Sequence, residues 1–120
     1  MIKALSLPGH EQNYLKAKYC DTFFSQFRGL MLQKSIGEHE GILLVNGHES
    51  RIESSIHMFF MNFSIAVIWL DSSYKVVDTC LAKPWHPYYA SSQPARYVLE
   101  THPDRLKDFK IGDEVTVKDD

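Results

Sequence analysis

Few residues of this chain are of a type and in a setting that could do chemistry, and His57 is the first of them. It stands in the run Ile56-His57-Met58-Phe59-Phe60. Apolar flanks withdraw water from an imidazole, lower its pKa and hold it neutral, the form that acts as base or ligand. The competing role is a histidine bonded to backbone that orients an irregular strand. No second ligand stands two or four residues further on, so a locally built metal site is unsupported and no metal is expected. Arg28 lies beside Phe27 and Leu30. Its planar, permanently charged guanidinium suits an anion or a carboxylate, or else a structural bridge to Glu100, Asp71 or Asp113. Asp71 and Glu100 are also the carboxylates that could orient His57 as a base. Trp85 sits with His86, Tyr88 and Tyr89 in a segment broken by Pro84, Pro87 and Pro94. Its rings could wall a pocket, offer a partner surface, or pin the loop over the mouth of the fold.

Other chemistries lack their groups. Cys20 and Cys80 are far apart, in no metal-like pair, and neither has a local base to activate it. Both read as small buried hydrophobes. One such pair in a chain of this size is not a disulfide scaffold. There is no serine-centred elbow, phosphate-cradling glycine loop or dinucleotide fingerprint, so no cofactor is expected.

These residues need elements to hold them. Ile2–Leu7 alternates as a short strand and ends at Pro8-Gly9, a turn signal. Tyr14–Cys20 is a second strand with Lys16 and Lys18 on one face. Asp21 or Thr22 then reads as an N-cap. Phe23, Phe24, Phe27, Leu30 and Met31 recur at helical spacing, which predicts a helix over about 22–32 carrying Arg28. Gly41–Val45 is a short buried strand, and Asn46-Gly47 a turn. Ser64–Asp71 is apolar on both faces, as an inner strand of a sheet would be. Asp71–Lys75 predicts a hairpin turn and Lys75–Leu81 its returning strand. Tyr97–Glu100 and Glu114–Val117 are further strands, with a short helix from Pro103 to Phe109 between them. Mostly short connections predict mainly antiparallel pairing. The expected class is therefore mainly β (α+β): a small curled antiparallel sheet or partly closed barrel of about six or seven strands with two short helices.

The bulk numbers narrow the partners. At 120 residues the chain matches one domain, expected to span 1–120, with enough core to fold without a metal or disulfide. Its 44% hydrophobic and 23% charged shares are those of an ordinary globular protein. A net charge of -2 with no basic stretch argues against nucleic acid. Arg105, Lys107 and Lys110, diluted by Asp104 and Asp108, read as a solvated face. The start has no long apolar run, and Ile65–Leu70 is too short to span a bilayer. No membrane association and a cytoplasmic location, with reduced thiols, are the expectations.

An ordered series of segments resembles the domain-of-unknown-function family numbered 192, known as uncharacterised bacterial proteins. The series begins with Cys20-Asp21-Thr22, Arg28-Gly29-Leu30-Met31 and Glu40-Gly41-Ile42-Leu43-Leu44. It continues through Ile56-His57-Met58-Phe59-Phe60-Met61, Ile65, Val67–Asp71, Pro84-Trp85, Tyr97-Val98-Leu99-Glu100 and Gly112-Asp113. The resemblance covers nearly the whole chain. It implies a compact, mostly β domain and supplies no reaction. Where the family pattern has Pro-Ile-Asp, this chain has Ser64-Ile65-Ala66; where Arg follows Pro-Trp, it has His86. If the replaced Asp or Arg forms a site, that site is altered here.

Three functions follow as expectations. The first is a non-enzymatic binding domain, with a cleft for a small ligand or peptide end between the Arg28 helix, the His57 segment and the Trp85 loop. The second is a hydrolase-like enzyme using His57 with Glu100 or Asp71. The third is a scaffold or assembly protein that contacts a protein partner through the Trp85 loop.

Overall fold

Six consecutive apolar residues cannot be satisfied by one covered face, and Ile65–Leu70 accordingly fixes the architecture. The computed structural model describes residues 2–10, 14–20, 35–58 and 61–119. Its strands are β1 (Ile2–Ser6), β2 (Leu15–Cys20), β3 (Glu40–Ser50), β4 (Ile65–Leu70), β5 (Val76–Ala82), β6 (Ala95–Thr101) and β7 (Thr116–Asp119). One 3-10 helix spans Pro103–Asp108. The strands form a single seven-stranded sheet in the order β5-β4-β6-β3-β2-β1-β7. Every residue of β4 is 1% exposed or less, because β5 and β6 flank it and both of its faces are covered.

The two faces carry separate apolar layers. Leu5, Leu15, Leu43, Ile68, Leu99 and Phe109 belong to the inner layer. Ile42, Ile56, Met58, Val67, Trp69 and Val98 belong to the outer one. Alternation along each strand assigns the rest: Leu99 faces inward, so Val98 and Glu100 face outward. No regular element among the described residues covers the outer layer. The irregular segment 51–58 and the loop after β5 lie over it. The indole N–H of Trp69 fastens the first of these by donating to the Ser54 carbonyl at 2.8 Å.

Several expectations need correction. The sheet is mixed, because β2 and β3 run parallel. A parallel pair needs a crossover of a dozen residues or more, and residues 21–39 are that one long connection. The sheet curls without closing into a barrel. Among the described residues its edges meet around the Lys75–Glu114 bridge, where Val76 N–H donates to Asp113 at 2.8 Å and Val115 N–H to Tyr74 at 2.9 Å. Asn46-Gly47 does not reverse the chain. β3 runs on to Ser50, and the pair marks a register shift against β6, from Val45↔Tyr97 to Ser50↔Ala95. The expected helix over 22–32 lies outside the described residues. The expected helix at Pro103 is of the 3-10 type, capped by His102, whose ring nitrogen accepts the Asp104 N–H at 3.1 Å.

Arg105 is not on a solvated face. Its side chain is 18% exposed and lies 3.4 Å from Asp108. It also donates to the Tyr14 hydroxyl at 3.0 Å, while that hydroxyl donates to Asp108. This triad ties the start of β2 to the 3-10 helix. Burial, then the Asp108 interaction, raises the Tyr14 pKa.

Candidate functional site

Glu100 is the residue whose environment conflicts most with its chemistry. On β6 it stands in register with Ile42 of β3 on one side and Val67 of β4 on the other. Both neighbours are buried, at 5% and 0% exposure, and both belong to the outer layer. The row continues through Val67 to Cys80 of β5 and through Ile42 to Lys18 of β2. Within the described residues, no hydrogen bond or ion pair engages the Glu100 carboxyl. Glu100 keeps a little surface exposure, yet burial pushes its pKa from the ordinary 4.5 to about 7. A carboxylate gains its charge only when water or a partner solvates it, and this one is largely withdrawn from water and has no partner among the described residues. Cys80, half-buried on the same face, is pushed up to about 11 by burial and then by the Asp78 charge. Its thiol stays protonated at neutral pH, which agrees with an inert role.

The structure brings the His57 and Trp85 segments together. Ile56 and Tyr89 exchange both backbone hydrogen bonds at 2.9 Å. Met58 N–H donates to His86 at 2.9 Å, and Trp85 N–H to Met58 at 2.8 Å. This short antiparallel ribbon lies over the outer layer, with Ile56 and Met58 turned into it at 9% and 1% exposure. His57, between them, is exposed and takes the opposite direction by alternation. No hydrogen bond or ion pair joins it to Glu100 or Asp71, all three being described residues. Trp85 is 52% exposed and holds a left-handed backbone, φ 62°. Such a conformation costs a bulky residue about 1–2 kcal/mol and persists only where the surroundings impose it. The bond to Met58 does so here. His86 packs its ring against Tyr89 at 4.4 Å, and the Tyr89 hydroxyl accepts the Lys83 N–H at 3.0 Å.

Asp71 sits apart, at the β4–β5 turn. Its Oδ1 accepts the backbone N–H groups of Ser73 at 2.8 Å and Lys75 at 3.0 Å. It shapes the hairpin. Arg28 lies outside the described residues. Ala66, where the family pattern has Asp, is fully buried in the inner layer opposite Thr101. That position is on the other side of the sheet from Glu100. Cys20 and Cys80 are both free. One described group, Glu38, His102 and Asp104, brings ligand atoms within 4.8 Å of one another. Within it the Nδ1 of His102 accepts the Asp104 N–H of the helix cap.

Sequence reasoning names Glu100 as a candidate ligand-binding residue and as a partner for His57 or Arg28, but not its isolation. The signal was available: a carboxylate that follows Tyr97-Val98-Leu99, with Thr101 after it, has little access to water on a strand covered on both sides.

The chain belongs to the DUF192 family, "Uncharacterized ACR, COG1430", whose profile matches residues 6–117. Among curated relatives, a UPF0127 protein of Thermococcus sibiricus is 44% identical over a stretch covering 83% of this chain and 64% of the relative. A UPF0127 protein of Thermococcus kodakarensis is 47% identical, covering 71% and 52%. One of Pyrococcus furiosus is 36% identical, covering 72% and 71%. The chain thus spans about half to two-thirds of the length of the Thermococcus relatives it matches. These relatives are archaeal, which corrects the expectation of a bacterial family. Among solved structures, a candidate transcription regulator from Sinorhizobium meliloti superposes with a TM-score of 0.85 at 17% identity, covering 97% of this chain and 92% of that one. A protein of unknown function from Novosphingobium aromaticivorans gives 0.78 at 19% identity, covering 97% and 84%. At these identities the likeness is one of fold. No helix among the described residues is long and apolar enough to cross a membrane.

Proposed function

We propose that the chain is a small, non-enzymatic binding domain whose polar anchor is the Glu100 carboxyl, with the His57–Trp85 ribbon closing the same face. The observation that carries this reading is a carboxyl without a described partner on an apolar sheet face, pushed up to about 7. Apolar surroundings with a few convergent polar groups and a displaced pKa are the usual marks of a ligand site. Ile56 and Met58 share the outer layer with Ile42 and Val67, so the ribbon and Glu100 belong to one surface.

The hydrolase-like alternative is less well supported. It needs His57 against a carboxylate, and Asp71 spends its Oδ1 on the hairpin while His57 is turned away from the layer that holds Glu100. The scaffold alternative draws on Trp85 and Tyr88, which are 52% and 56% exposed. A nucleic-acid role, which the name of the Sinorhizobium protein raises, draws no support from a net charge of -2. A cytoplasmic single-domain module with reduced Cys20 and Cys80 fits the two free thiols.

A thermal-shift screen over amines, carboxylates, sugars, nucleotides and divalent metals tests the reading, since a ligand of the native state raises its melting point. Wild type, Glu100→Gln and Arg28→Ala are compared. One class is expected to stabilise the wild type and to lose its effect in Glu100→Gln. A screen in which no class shifts the wild type, or in which Glu100→Gln responds in full, ends it.

A further inference from the structure

Resting on the binding reading, we infer that the group held at Glu100 is an organic cation, a primary ammonium or guanidinium. The argument is one of elimination from the surroundings of the carboxyl. Ile42 and Val67 border it in the sheet, and neither offers a hydrogen bond. A charge taken from water into such a setting is restored by an opposite charge and by little else. An anionic ligand is repelled there. A divalent metal needs at least three or four ligands, and among the described residues the row offers only the Cys80 thiol, one strand beyond Val67 and protonated, and at its other end the Lys18 ammonium, one strand beyond Ile42, which is exposed and makes no ion pair with the carboxyl. A neutral donor satisfies only part of an acceptor with two oxygens.

The consequence is a proton count. In the free protein at neutral pH the carboxyl is divided between its two forms; the cation binds the ionised one, so binding expels the proton. A ligand that selects one form has an apparent affinity reduced by the fraction of protein in that form. With the carboxyl at about 7, the ionised fraction rises roughly tenfold between pH 6 and pH 8, and affinity rises with it.

The test uses n-butylammonium, n-butanol and n-butyrate as probes of matched shape. The carbon-13 resonance of the Glu100 carboxyl in the labelled chain is followed across pH, with Glu100→Gln used to assign it. Butylammonium is expected to give a saturable shift, to lower the titration midpoint of the resonance, and to bind about tenfold tighter at pH 8 than at pH 6. Butanol binding as tightly as butylammonium, with no pH dependence, overturns the cation and leaves the site standing. Butyrate binding best does the same. If none of the three perturbs Glu100, the cation and the binding reading fall together.

Discussion

At the scale of single residues, Glu100 makes a prediction that needs no ligand. Its folded pKa of about 7 lies above its ordinary 4.5. Between those values the folded chain therefore holds more proton than the unfolded one. Stability from this group is complete below about 4.5 and is lost as pH rises through about 7. The full loss is on the order of 3 kcal/mol. Glutamine carries no such titration. Glu100→Gln should match the wild type in urea denaturation at pH 4 and exceed it by up to about 3 kcal/mol at pH 8. Equal stability at both values would mean that the carboxyl is solvated after all. The residue types of the site were legible in the sequence, but their settings were not. His57 was the expected centre because its neighbours are apolar, yet on a strand-like segment apolar neighbours turn into the core and leave the middle residue outside. Asp71 was a candidate because it is a carboxylate; its two backbone bonds arise from the turn it occupies.

At the scale of elements, local pattern found the strands and long-range pairing did not follow from it. Ile65–Leu70 was readable as a doubly covered strand because no single face absorbs six apolar residues. The parallel β2–β3 pair was not readable, since it depends on where the long connection 21–39 returns. Asn46-Gly47 misled because a turn-forming pair serves equally in a ladder that changes register. The irregular segment over the outer layer is the element on which the site depends, and the Trp69 indole is what fastens it to the inner strand β4 among the described residues. Trp69→Phe removes the N–H that reaches Ser54 and leaves that carbonyl buried beside an apolar ring. The expected loss is about 1–3 kcal/mol, with faster hydrogen exchange at Ile56 and Met58 than at Leu99. Uniform acceleration at all three amides would show that the bond stabilises the whole sheet and not the cover. The exposed edge is guarded in a related way. Asp78 accepts from Thr79 and from Ser92, both at 2.8 Å, holding the loop after β5 against the strand. Asp78→Ala should release that loop and raise proteolytic cleavage between Pro84 and Pro94, and intact resistance would assign the loop's order to its rings alone.

At the scale of the whole molecule, one sheet serves two apolar layers, so the question is whether they are one cooperative unit. β4 contributes to both: Ile68 points into the inner layer and Ile65 into the outer, each fully buried. The two are three residues apart, about 10 Å along a strand, which is far enough for independent substitutions to add. Ile68→Val and Ile65→Val each delete one methylene and should each cost about 0.5–1.5 kcal/mol. Because β2 to β6 each wall both layers, both should lower a single transition. Trp69 fluorescence, which reports the outer layer, and far-ultraviolet circular dichroism, which reports the sheet, should then move together. The pair of variants also separates stability from binding. Ile68→Val lies behind the sheet from Glu100 and should leave ligand affinity unchanged. Ile65→Val, in the layer that flanks the carboxyl, should weaken it. If fluorescence in Ile65→Val falls ahead of circular dichroism, the outer cover opens as a unit of its own. The face that carries Glu100 would then be reached by local opening of the folded chain, and its affinity for cations would track the stability of that cover instead of the stability of the fold.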